Sequence, residues 1–97
     1  IILLMTKTQK QRDKQIRAAL TKACESIKDS VTDFAYLTHT VDLNNEANTL
    51  KVNCYFDDTI ALNNADSEIE HLKSIVITQL AGIKLTIKPT HIVFFAN

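Results

Sequence analysis

The stretch FAYLTHTVDLNNEANTLKVNCYF, Phe34–Phe56, decides the fold. Its first part alternates. Ala35, Leu37, His39, Val41 and Leu43 fall on one side of an extended chain, and Phe34, Tyr36, Thr38 and Thr40 on the other. Successive side chains of a strand point to opposite faces, so this period of two predicts a half-buried strand. The segment Asn44-Asn45-Glu46-Ala47-Asn48 is rich in residues that tolerate left-handed backbone, which suits a turn. Alternation then resumes, with Leu50, Val52, Cys54 and Phe56 on an apolar side and Lys51, Asn53 and Tyr55 on a wetter one. Together these runs predict a hairpin with one buried face.

A buried sheet face needs cover, and the flanking sequence supplies it. Residues 9–31 place Ile16, Leu20, Cys24 (with Ala23), Ile27 and Val31 three or four positions apart, the spacing of one helical stripe. Residues 66–80 do the same with Ile69, Leu72, Val76 and Leu80, widened by Ile75. Ser67-x-x-Glu70 has the form of a capping box, and Gly82 stands where a left-handed helix end is expected. Asp58 is placed to cap a short turn through Ile60 and Leu62. From Lys84 the pattern is extended again: Leu85, Ile87, Pro89, then Ile92-Val93-Phe94-Phe95. Proline donates no ladder hydrogen bond, so Pro89 marks an edge, a bulge or a break before the last strand. The order is α-β-β-α-β. It predicts an α+β, two-layer domain, with a three-stranded sheet and two long helices on one face. A parallel third strand would be reached by a right-handed crossover, and the alternation leaves open which strand it joins.

Composition bounds the rest. Ninety-seven residues, 45% of them apolar, suffice for one domain with its own core. Residues 1–97 therefore read as a single domain, with 1–8 a flexible N-terminal extension. Ile1-Ile2-Leu3-Leu4-Met5 is too short for a signal peptide or a membrane span. Cys24 and Cys54 sit inside apolar stripes, with no CxxC pairing, and read as reduced, buried thiols of a cytoplasmic protein. Lys/Arg and Asp/Glu balance at 11 each, but unevenly. Residues 1–28 hold seven bases and two acids, 29–70 one base and nine acids, and 71–97 three bases and no acid. Such a chain steers partners by its dipole without the uniformly basic footprint of a DNA-binding domain.

No catalytic motif is present. With one glycine there is no phosphate-cradling Gly-rich loop, and GxSxG and HExxH are absent. Cys24 and His39 read as core residues rather than a thiol–imidazole pair, and the scattered Cys and His residues lack metal-site spacing. The reading is therefore binding and not catalysis, with no metal, no cofactor, no small-molecule substrate and no membrane. Two surfaces are candidates. Tyr36, Thr38, Thr40, Lys51, Asn53 and Tyr55 form the sheet face that no helix covers, a site for a protein partner or for a second copy, whose other expected place is the open sheet edge. Lys10, Lys14, Arg17 and Lys28 form a basic stripe along the first helix, to which Lys84 and Lys88 add charge. Its alternative use is contact with RNA or the ribosome.

The element order, with Leu85-x-Ile87-x-Pro89 before Ile92-Val93-Phe94-Phe95, resembles the type II KH layout of ribosome-binding factor A. That resemblance implies a KH-like RNA- or ribosome-associated protein. The KH GxxG loop is absent, and His71-Leu72-Lys73 stand where ribosome-binding factor A has its Ala-x-Gly kink. A broader likeness covers most of residues 7–88: Ile16-Arg17-x-x-Leu20, Cys24, Phe34, Leu37-Thr38-His39, Leu50-Lys51-Val52-x-Cys54-x-Phe56-Asp57 and Gly82-Ile83-Lys84-Leu85. In these the chain resembles a family of small gammaproteobacterial proteins of uncharacterised activity, some labelled Fis-type regulators. A Fis-type protein ends in a helix-turn-helix, whereas this chain ends in a strand pattern.

Overall fold

A computed structural model describes residues 7–97. Its elements are α1 (Lys7–Ser30), β1 (Phe34–Thr40), α2 (Glu46–Thr49), β2 (Lys51–Phe56), α3 (Thr59–Asn64), α4 (Ile69–Ala81) and β3 (Ile92–Ala96). Short 3-10 turns at Asp66–Glu68 and Pro89–His91 precede α4 and β3. The α+β, two-layer expectation holds. Of the proposed N-terminal extension, Lys7 and Thr8 belong instead to the first turn of α1, and residues 1–6 lie outside the described residues.

The sheet order is β1-β2-β3, antiparallel between β1 and β2 and parallel between β2 and β3. The last strand thus joins the second, which becomes central. Ile16, Ala19, Leu20, Ala23 and Ile27 of α1 are buried, and so are Leu72, Val76 and Leu80 of α4. They form one core with Leu50, Val52, Cys54, Phe56 and Ile92. Truncating Ile27 or Leu72 to alanine, both fully buried, should cost roughly 2–5 kcal/mol through lost transfer energy and the cavity left behind.

Several local expectations fail, each for an identifiable reason. Phe34 is 7% exposed and not on the outer face. A bulge between Phe34 and Tyr36 sets Phe34 opposite Phe56 while Tyr36 stands opposite Tyr55. The extra residue reverses the alternation at that point. Phe34 then meets Phe56 edge-to-face, with ring centroids 5.4 Å apart. β1 ends at Thr40, so Val41 and Leu43 leave the ladder, although both still pack partly against the core. The polar turn is not a tight hairpin but holds the helical turn α2. There Thr49 Oγ1 donates to the Asn45 carbonyl, and Asp42 N–H donates to Thr49 Oγ1.

Asp58 does cap α3, its carboxylate accepting from Ala61 N–H at 2.8 Å. The Ser67 box does not form, because Asp66–Glu68 is taken into a 3-10 turn and Glu68 makes no side-chain cap hydrogen bond. Gly82 is helical, at φ −61°, and the left-handed residue is Lys84, at φ 63°. The Leu85 N–H bonds the Leu80 carbonyl and the Lys84 N–H bonds the Ala81 carbonyl. This is the paired pattern of a Schellman end with Lys84 in the glycine position and the buried Leu80 and Leu85 in hydrophobic register. Pro89 lies in the break before β3, at the start of its 3-10 turn.

Candidate functional site

The outer sheet face is built by register. Tyr36 stands opposite Tyr55, and Tyr55 opposite Phe95. The next row is Thr38, Asn53 and Val93, followed by Thr40 with Lys51. The aromatic row is stacked: Tyr36 and Tyr55 have centroids 4.8 Å apart and planes 21° apart, Tyr55 and Phe95 5.4 Å and 26°. Tyr36 Oη donates to Asn97 Oδ1 at 3.3 Å, fixing the row at its outer end. Tyr36 is 44%, Phe95 43% and Val93 38% exposed. The face therefore carries three rings, one aliphatic side chain, three neutral polar residues and a single charge, on Lys51. All six expected face residues, Tyr36, Thr38, Thr40, Lys51, Asn53 and Tyr55, come together here. Val93 and Phe95 join them. They were legible as alternate positions of Ile92-Val93-Phe94-Phe95, but not as neighbours of Tyr55 until the third strand was placed beside the second.

Lys10, Lys14 and Arg17 stand four and three residues apart along one side of α1, with Lys28 about three turns further on. Lys10, Lys14, Arg17 and Lys28 are exposed on α1, the helix that covers the other side of the sheet. Lys10 and Lys14 border a shallow depression with Gln11 and Gln15. Arg17 and Lys28 border a different groove, between α1 and β1. Arg17 is moreover paired with Asp13, Nε to Oδ2 at 3.0 Å, one helical turn away. Lys84 and Lys88 are exposed in the segment after α4.

Arg12 is the basic residue that sequence reasoning passed over. Its Nε donates to Glu46 Oε1 at 2.8 Å, and Nη1 donates to the Ile83 carbonyl and, at 3.2 Å, to Gln15 Oε1. It ties α1 to α2 and to the end of α4, at about one-fifth side-chain exposure.

Cys24 and His39 line the α1–β1 groove together, and Cys24 is half-buried rather than in the core. No hydrogen bond joins them among the described residues. Burial lowers the His39 pKa, Arg17 adds to the lowering and Asp13 opposes it. The neutral imidazole that results supplies no positive charge to a thiolate. Cys54 is buried, and burial together with the nearby Cys24 pushes its thiol up to about 12. Both cysteines are free. Among the described residues no three His, Cys, Asp or Glu side chains gather as metal ligands, and no helix is long and apolar enough to cross a membrane. Comparison with family models, curated proteins and solved structures returns no match.

Proposed function

We propose that the protein is a cytoplasmic protein-binding module whose partner docks on the outer sheet face, across Tyr36, Tyr55, Phe95 and Val93. One observation carries this reading: a stacked, half-exposed row of three rings on a face with a single charge. Aromatic side chains bring large contact area at low entropic cost, and they dominate the centres of protein interfaces. Nothing in the site calls for catalysis. Two free cysteines support a reducing compartment.

The same row also has the form of a base-stacking platform, which is what favours the KH-like RNA reading. A single-stranded nucleic-acid site combines stacking with cations that follow the backbone. Here the one cation of the face, Lys51, stands two rows away from the rings, and the stripe of α1 lies on the opposite side of the sheet. The geometry therefore favours a protein partner.

Capture from bacterial lysate, with and without nuclease, tests the choice. The expected result is a protein retained after nuclease and at raised salt, and lost from Phe95→Ser and Tyr55→Ser. Retention that vanishes with nuclease, falls steeply with salt and is abolished by Lys14→Glu with Arg17→Glu would establish the RNA reading instead. Undiminished capture by the two aromatic variants refutes docking on this face.

A further inference from the structure

β3 is an edge strand that nothing blunts. Among the described residues its ladder partner is β2 alone, and its register runs without a bulge. Ile92–Ala96 holds no charge and no proline. The other edge strand, β1, carries a bulge and lies beside a groove bordered by Arg17, Glu25 and Lys28. Bulges and charges are what keep a free edge from pairing, and β3 has neither. Exposed apolar side chains gather at the same edge. Of the four large ones among the described residues, Val93 and Phe95 stand on β3. A third, Ile60, is 70% exposed on α3, a helix without charge that packs against β3.

Charge reverses along the direction of β3. Asp57, Asp58, Asp66, Glu68 and Glu70 fall between the end of β2 and the first turn of α4. β3 is parallel to β2, with Ala96 opposite Phe56, so these acids lie where β3 ends. Lys73, the base among them, pairs with Glu70 at 4.0 Å. α4 runs back toward the start of β3, and Lys84 and Lys88 follow it there. The other charges divide the same way. Arg12 bonds the Ile83 carbonyl, which puts the Lys7 half of α1 at the basic end, and the Asp57 N–H bonds the Asp33 carbonyl at the acidic end. Residues 7–18, 41–51 and 82–91 hold eight bases and three acids, and residues 19–33 and 57–73 eight acids and three bases. No other residue carries a charged side chain.

We infer that the β3 edge pairs with the β3 edge of a second copy, antiparallel about a twofold axis at Phe94. Val93 of one copy then stands opposite Phe95 of the other on the outer face, and the helices of both copies stay on one side. Antiparallel pairing sets the acidic end of each copy beside the basic end of the other, twice over, as an isologous interface requires. A second copy brings this reversed pattern by symmetry. A uniformly acidic or basic strand would be attracted at one end of the edge and repelled at the other. The product is a six-stranded sheet with the two aromatic rows on one continuous face.

This inference stands apart from the partner-docking reading, because edge pairing leaves the rings of Tyr36 and Tyr55 uncovered. Sedimentation of the full chain across the micromolar range should find a dimer. Its dissociation constant should rise about fivefold as salt is raised from about 0.05 to about 0.5 M, because the facing ends are screened. Val93→Lys, at a partly exposed position, sets two like charges diagonally across the seam and should weaken the dimer about tenfold. Lys88→Glu, exposed and outside the sheet, should weaken it about threefold without touching the ladder. Tyr36→Ser, on the opposite edge strand and in the aromatic row, should leave it intact. A monomer at every concentration overturns the inference. So does a folded Val93→Lys protein that dimerises like wild type, a dimer indifferent to both salt and Lys88→Glu, or a dimer lost with Tyr36→Ser.

Discussion

Arg12→Ala should be among the most damaging single changes at a position that is not fully buried. The guanidinium makes a charge-assisted bond to Glu46 and a second to the Ile83 carbonyl, both part-buried. A hydrogen bond to a charged group contributes about 1.5–3 kcal/mol, and a neutral one about 1. The side chains of Arg12 and Glu46 are 19% and 20% exposed, so solvent takes part of this, and a net loss of about 2–3 kcal/mol is expected. For a domain of this size that lowers Tm by roughly 10–20 °C. The apolar stem also packs, so Arg12→Met should recover part of the loss but not the polar share. Chemical denaturation of Arg12→Ala, Glu46→Ala and the double variant then isolates the pair, with an expected coupling of about 1–2 kcal/mol. A loss under about 0.5 kcal/mol for Arg12→Ala, or a coupling near zero, would refute the view that this arginine clasps α1, α2 and the α4 end.

Lys84→Gly should raise stability by about 0.5–1 kcal/mol, read as a higher denaturation midpoint. Relief of the left-handed backbone outweighs glycine's greater freedom when unfolded. Alkaline pH should destabilise the protein through Cys54. The unfolded thiol ionises near 9, while the buried one holds its proton to about 12. The stabilisation is thus complete below 9 and lost at about 1.4 kcal/mol per pH unit above it, a slope absent from Cys54→Ala. His39 acts at the acid end. Its folded pKa lies below the usual 6.5, so the unfolded state takes up the proton first and stability falls as pH drops through that value. His39→Gln should flatten that limb of a denaturation profile. A native thiol assay should find one reactive cysteine, Cys24, and a denatured one two; two in the native state would contradict the burial of Cys54.

Much of this molecule is determined by local pattern. The helical stripes of α1 and α4, the alternation of β1 and β2, the Asp58 cap and the six residues of the outer face all follow from side-chain periodicity, which the chain carries wherever it folds. Tertiary structure decided what periodicity cannot reach. Phe34 turned inward because a bulge adds one residue, and an extra residue reverses facing without changing composition. Lys84 rather than Gly82 took the left-handed position because Leu85 has to return onto the core beside Leu80. Arg12 parted from its lysine neighbours because Glu46 and Ile83, far along the chain, meet it there. Phe95 completed the aromatic row only because β3 runs parallel beside β2, a pairing between distant segments that no local spacing encodes.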